Sequence, residues 1–200
     1  MVSNTYSVLG SGYIFNSHRG WTAFCDQCKL GLMTTIYATS YDSPLGLIHL
    51  AGDEQGLIGL WFNGQKYDQD LPPRFSLVVN DRLDVFRRAN RWLDIYFSGR
   101  EPGFTPALSM IGTDFQRKVW WALLDIPYGE TISYQKLACR IDSPNALRAT
   151  AHAISRNRIS IIIPCHRVIG SNGKLTGYAG GIERKRALLR LERSLDLIDD

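Results

Sequence analysis

A Pro/Gly-rich segment, Glu101-Pro102-Gly103-Phe104-Thr105-Pro106, limits the folds open to this chain more than any other feature, because the hydrophobic period changes across it. From Met33 to that segment the chain reads as short strands, Thr34 to Thr39, Gly46 to Ala51 and Leu57 to Phe62. They are bounded by the turn residues Ser43-Pro44, Gly52-Asp53 and Asn63-Gly64. A small antiparallel sheet is predicted. A helix from about Asp81 to Phe97 follows, with Leu83, Phe86, Ala89, Leu93 and Phe97 at three- and four-residue steps and Gly99 as its stop, and it can cover one face of that sheet. Beyond the segment the period is helical. The expected class is therefore α/β in the α+β sense, with residues 33–105 as a sheet-plus-helix domain and residues 106–195 as a mostly helical domain. Residues 1–32 read as an extension of unknown role and residues 196–200 as a tail.

The second half is well punctuated. Thr113 with Gln116 forms a capping box that opens a helix through Phe115, Val119, Trp120, Leu123 and Leu124, ended by Pro127. Ser133 caps a short helix from Tyr134 to Cys139, and Ser143-Pro144 predicts the start of another, roughly Asn145 to Ser155. Two short helices joined by about four residues, the second bearing Arg148 and several alanines, have the outline of a helix-turn-helix; alanine's helix propensity alone would also explain the second. Ile159-Ser160-Ile161-Ile162-Ile163 reads as a buried strand, Gly170 to Gly181 as a glycine-rich loop, and Ile182 to Arg193 as a final helix.

Charge sharpens the division. Residues 115–193 carry 14 Lys and Arg against 5 Asp and Glu, whereas residues 1–114 carry 9 against 11. A basic module of this kind could meet a polyanion or be an ordinary solvated surface. With 44% hydrophobic residues the chain can bury a core without disulfides, and no stretch is apolar for the roughly 18 residues a membrane-spanning helix requires. Without a recognisable secretory signal, the expectation is an intracellular, cytoplasmic protein (nuclear in a eukaryotic source), a monomer without membrane contact. Cys25, Cys28, Cys139 and Cys165 should then be reduced. Cys25-Asp26-Gln27-Cys28 has the spacing of half a zinc site but lacks a second pair of ligands, so neither metal nor cofactor is expected.

The chemistry concentrates in Ile162-Ile163-Pro164-Cys165-His166-Arg167-Val168. A thiol fixed behind a proline, with a base and a cation beside it, is how a weak nucleophile becomes a strong one, although spacing alone leaves an inert buried cysteine equally open. His166 can take the thiol proton through a water, and Glu192 on the last helix is a candidate to hold the imidazole.

Pro164-Cys165-His166-Arg167-Val168 resembles the active-site motif of the O6-alkylguanine-DNA alkyltransferases, also called methylated-DNA-protein-cysteine methyltransferases. The flanking motifs are similar in the same order: Phe115 to Trp120, Ile126 to Tyr134, Arg148-Ala149, Gly177 to Gly181, and Lys185 to Glu192. The resemblance spans about Met33 to Glu192. It implies DNA repair by direct, irreversible transfer of the methyl (alkyl) group of O6-methylguanine, and potentially O4-methylthymine, to Cys165, once per molecule. It further implies His166 as water-linked base, Glu192 as the carboxylate that orients it, and Tyr134 as hydrogen-bond donor to the guanine ring. Arg148 would be the finger that fills the DNA stack after nucleotide flipping, and Tyr178 and Ala179 part of the loop walling the guanine pocket. Ser133 and Gln135 would touch substrate or DNA, and Asn157 and Arg167 would brace the site. The implied partner is double-stranded DNA, bound largely without sequence preference.

Three departures stand out. Ala179 occupies a position where some relatives have a serine that bonds O6; Thr150 to Ala153 replaces a glycine-rich stretch and places His152 on or near the recognition helix; and Arg158 follows Asn157 where proline is common. The competing classes are a lesion-binding module without transfer, a cysteine hydrolase using Cys165, His166 and Glu192, and a transcription regulator. Cys165 argues against the first, the helix-turn-helix would be unexplained by the second, and the third needs a dimer half-site geometry the sequence does not display.

Overall fold

The computed structural model describes residues 34–193 together with three short strands further upstream. Those strands, β1 (Tyr6–Leu9), β2 (Tyr13–Asn16) and β3 (Gly20–Ala23), pair as an antiparallel meander, so the N-terminal extension has strands that its sequence did not announce. Cys25 and Cys28 lie outside the described residues.

The main sheet has the order β6-β5-β4-β7, built from β4 (Thr34–Ser43), β5 (Gly46–Gly52), β6 (Leu57–Phe62) and β7 (Phe75–Val79). The first three pair antiparallel, as their turn-bounded runs predict. β7 went unread and joins β4 in parallel, which makes the sheet mixed. Its exposed Val79 and half-exposed Val78 show why: the strand lacks the alternation that marks a half-buried edge.

β6 is buried along its whole length. One face, with Leu57, Leu60 and Phe62, packs beneath helix α1 (Asp84–Phe97) through Phe86, Ala89, Leu93 and Tyr96; the other, with Ile58 and Trp61, packs on Leu71, Phe75 and Ile111. Trp61 folds back over Gly59, where a Cβ would lie 1.7 Å from the indole, so only glycine fits there. The free edge of β6 is not left open. Leu57 pairs with Ala107 and Ser109 through backbone bonds of 2.8 Å each, and Leu60 pairs with Arg158 at 2.8 Å and Ser160 at 2.9 Å. A strand edge closed in this way resists intermolecular pairing, and it also fixes the turn that carries the site to the sheet.

Helix α2 (Asp114–Leu124) opens with the capping box at Thr113 and Gln116. Two-residue strands β8 (Ile132–Ser133) and β9 (Val168–Ile169) pair in parallel, and α3 (Tyr134–Arg140) is capped by the Ser133 hydroxyl, which accepts the Lys136 N–H at 3.1 Å. Helix α4 (Leu147–Ser155) starts later than Ser143-Pro144 suggested. Ala146 is its cap, and the Ser143 hydroxyl donates instead to the Ile141 carbonyl at 3.2 Å. Trp120 locks α2 onto α4, its indole N–H donating to the Ala153 carbonyl at 2.8 Å.

Residues 159–163 are not a strand beyond the single bridge at Ile159. They form a buried turn, in which Ile163 N–H bonds the Ile159 carbonyl at 3.1 Å and Ile161 sits at φ +69°. A β-branched residue in the left-handed region is strained by about 1–3 kcal/mol and persists only where packing enforces it; Ile161 is fully buried. An all-apolar run suits a buried strand and a buried turn equally, so composition could not separate them. Helix α5 (Ile182–Leu191) closes the described chain.

Candidate active site

Cys165 opens a single 3-10 turn, Cys165–Arg167, directly after the strained turn, and is 5% exposed. Its sulfur receives a hydrogen bond from Asn157 Nδ2 at 3.1 Å. Asn157 also donates to the Ile163 carbonyl at 2.9 Å and accepts from Ile159 N–H at 3.0 Å, so one side chain spans the turn and ends on the thiol. Burial pushes the Cys165 thiol up, and the Asn157 bond and the Lys185 charge oppose this without cancelling it. At neutral pH the sulfur is a thiol that needs a base.

That base is built next to it. His166 is fully buried, and burial holds its imidazole below the usual histidine value despite the pull of Glu192, so the ring is neutral at pH 7. Nε2 lies 2.8 Å from Glu192 Oε1. Burial alone would raise the Glu192 carboxyl, but His166 and Arg167 outweigh it and bring it down to about 2. An ionised carboxylate only accepts, so the ring proton sits on Nε2 and Nδ1 carries a lone pair. Nδ1 is buried with no hydrogen-bond partner among the described residues, which leaves it free to receive a proton. No direct thiol-imidazole bond forms, in keeping with a proton path through water.

Glu192 is gripped from several elements. Arg167 Nε donates to Oε2 at 2.8 Å and Nη2 to Oε1 at 3.2 Å, while Nη1 bonds the Ile126 carbonyl at 2.6 Å. Tyr96, at the far end of α1, donates its hydroxyl to Oε1 at 2.6 Å. Gly129, at φ +79°, offers its N–H to Oε2 at 3.4 Å.

A pocket of about 270 Å³ opens over the sulfur, lined by Cys165, Tyr134, Tyr178, Ala179 and the α4 residues Ala151 and Ile154, among others. Tyr134 donates to the Thr176 and Gly177 carbonyls at 3.3 and 3.4 Å, and burial raises its phenol so that it keeps its proton. Tyr178 sets its ring edge-on to His166 at 6.3 Å. Lys185, fully buried and lowered by burial to about 8, donates to the Val168 carbonyl at 2.5 Å and the Thr176 carbonyl at 2.7 Å, fastening the glycine-rich loop to β9. The Ala179 carbonyl accepts the Lys66 N–H at 3.0 Å.

Thus Cys165, His166, Glu192, Asn157, Arg167, Tyr134, Tyr178 and Ala179 share one site. Ser133, Gln135 and Arg148 do not line the pocket. Ser133 caps α3, Gln135 is exposed and bonds the Pro144 carbonyl at 3.4 Å, and Arg148 projects from α4 as an exposed cation, with His152 exposed on the same helix. Among the described residues no group of three or more His, Cys, Asp and Glu side chains is gathered as metal ligands would be.

Known proteins resemble the chain in both sequence and fold. The family model for the 6-O-methylguanine DNA methyltransferase ribonuclease-like domain matches residues 36–110, and that for the DNA binding domain matches residues 114–194. The chain belongs to the 6-O-methylguanine DNA methyltransferase family. A methylated-DNA--protein-cysteine methyltransferase of Methanosarcina acetivorans is 48% identical over 159 residues, 80% of this chain and 99% of the relative; that of Mycobacterium bovis is 48% identical over 80% and 93%. The crystal structure of Mycobacterium tuberculosis OGT in complex with DNA superposes with a TM-score of 0.69 at 45% identity, covering 80% of this chain and 94% of that one.

Two members of this methyltransferase's site were missed in the sequence. Tyr96 and Lys185 are polar residues inside helical periods that otherwise mark packing. The signal for Tyr96 was its place beside Leu93 on the buried stripe, where a phenol needs a partner for its hydroxyl.

Proposed function

We propose that this chain repairs DNA by moving the methyl (or other alkyl) group of O6-methylguanine onto Cys165, irreversibly and once per molecule. The observation that carries the reading is the buried thiol at the base of the pocket beside a neutral imidazole whose Nδ1 is free. The thiol proton passes through water to His166, and Glu192 stabilises the imidazolium. Sulfur attacks the methyl carbon, the S–C bond forms as the C–O6 bond breaks, and guanine leaves with the electron pair. Tyr134 hydrogen-bonds the ring as negative charge develops, and the proton lost from sulfur is balanced by protonation of the guanine. A thioether has no route back to the thiol here, so turnover stops at one.

An O6-alkyl group lies within the duplex and reaches the pocket only if the nucleotide flips, at a cost of a few kcal/mol. Arg148 on α4 is placed in this reading as the side chain that fills the vacated stack, with other basic side chains of residues 115–193 on the phosphates. Duplex binding largely without sequence preference follows from contacts of that kind, and in this reading one chain acts alone on one lesion.

The test is to incubate the full chain with a short duplex bearing one O6-methylguanine and weigh the peptide that contains Cys165. A gain of one methyl, saturating at one lesion per protein, supports transfer. Binding of the lesion duplex with no mass gain would make the protein a damage sensor, and steady turnover on a thioester would make it a hydrolase.

A further inference from the structure

Between β6 and β7, residues 63–74 form a strap that reaches the active-site turn from the sheet side. Gln65 Oε1 accepts from the Ser160 hydroxyl at 3.4 Å. Tyr67 lies under the Arg156 guanidinium at 3.9 Å, and Asp70 Oδ2 accepts from Arg156 Nη1 at 3.2 Å. Arg158 is held most firmly. Its Nε donates to the Asp70 carbonyl at 2.7 Å, its Nη1 to the Ile111 carbonyl at 2.7 Å, and its Nη2 lies 3.8 Å from the Asp70 carboxylate. Tyr67 and Gln69 take positive φ, +63° and +50°, a conformation that surrounding contacts must enforce.

The two clamped arginines flank Asn157, whose amide is 3.1 Å from the Cys165 sulfur. Helix α4 ends at Ser155, and beyond it the backbone of residue 157 keeps one bond of the last turn, from its N–H to the Ile154 carbonyl at 3.2 Å. On its other side the position of Asn157 depends on its own side-chain bonds, on the Arg158 carbonyl pairing with Leu60, and on the Arg158 fork. The fork is a planar set of donors satisfied from two directions, which a lysine could not reproduce. Where proline would have stiffened the backbone after Asn157, this chain uses a side chain tied to the N-terminal half.

We infer that Arg158, anchored by the strap at Asp70 and by Ile111, is a positioning residue for alkyl transfer that keeps the Asn157 amide on the Cys165 sulfur. The inference rests on Cys165 being the alkyl acceptor. An amide donor at that distance favours the thiolate that attacks, so a loosened Asn157 slows attack and leaves DNA binding intact.

The experiment is single-turnover methyl transfer by the full chain from a saturating O6-methylguanine duplex and, separately, from free O6-methylguanine base, for wild type, Arg158→Met and Asp70→Asn. Arg158→Met should bind duplex as tightly as wild type and still reach one methyl per protein. Its limiting rate should fall about 10-fold or more with both substrates, the usual scale for residues that orient a reacting group. Asp70→Asn keeps the carbonyl at residue 70 and should lose less. An unchanged limiting rate, a loss confined to duplex, or weaker DNA binding at an unchanged limiting rate would overturn the proposal, the last two making Arg158 a DNA contact. A lowered end point with a normal rate for the molecules that react would make Arg158 purely structural. Should Arg158→Met fail to fold, Arg158→Lys is measured in its place, with an intermediate loss expected and wild-type rates refuting. Failure of the wild type to accept a methyl would sink the alkyltransferase reading itself, which is a separate result.

Discussion

Replacing Glu192 by Gln tests the electrostatic design of the site most directly. The carboxylate takes bonds from Tyr96, His166, Gly129 and two nitrogens of Arg167, and its carboxyl is drawn from 4.5 down to about 2. Ionisation of Glu192 therefore stabilises the fold, Arg167 being the charge it faces at pH 7 and the His166 imidazolium joining once that ring protonates. Because the folded-state value lies below the unfolded one, that stabilisation is complete above about pH 5 and is lost as the pH falls toward 2. Glutamine does not titrate and cannot accept from every donor, so Arg167 is left buried without a counter-charge. Urea denaturation of both proteins should show the wild type more stable at pH 7 by about 3–5 kcal/mol, the range for a buried ion pair that loses one partner, and the gap should narrow as the pH falls below about 4 and the carboxylate protonates. Methyl transfer at pH 7 should fall by about 100-fold or more, since an amide no longer fixes the proton on Nε2 or stabilises the imidazolium. A stability gap that does not change with pH, or no gap at pH 7, would refute the ion-pair account; a variant that reacts at the wild-type rate would remove Glu192 from the proton path.

Cys165→Ser should end mass gain while leaving binding of an O6-methylguanine duplex within a few-fold, read by gel shift at fixed salt. Arg148→Ala should slow repair of duplex far more than transfer from free base, because only the duplex has a stack to fill; equal losses would exclude the finger role. Tyr96→Phe removes the 2.6 Å bond to Glu192 and should cost about 1.5–3 kcal/mol in urea denaturation, the range for a bond to a charged group, with slower transfer.

What was legible in the sequence was local. The Thr113 capping box, the Ser133 cap and the turn-bounded strands β4 to β6 depend on residues within a few positions of one another, and the structure holds them where the chain's own grammar put them. The pentapeptide around Cys165 was legible for the same reason, since a thiol, a base and a cation in sequence advertise chemistry before any folding. The errors came where a tertiary partner decides. Residues 159–163 look like a strand because nothing local reveals that Asn157 reaches across to Ile163 and folds them into a turn.

The catalytic polarity of the site is non-local in the same sense. In the proposed mechanism His166 can act as a base because it is buried and neutral, with its Nε2 proton fixed by Glu192, which lies 26 residues downstream and takes a further bond from Tyr96 of the first half. The sheet half closes the β6 edge over the turn, supplies Tyr96 to the carboxylate and extends the strap to Arg158. Its fold therefore sets the reactivity of a thiol that the helical half carries. Cutting the chain at the Pro/Gly segment should leave Cys165 present and unreactive, because the imidazole would hydrate and the strained turn would lose the edge strand that enforces it.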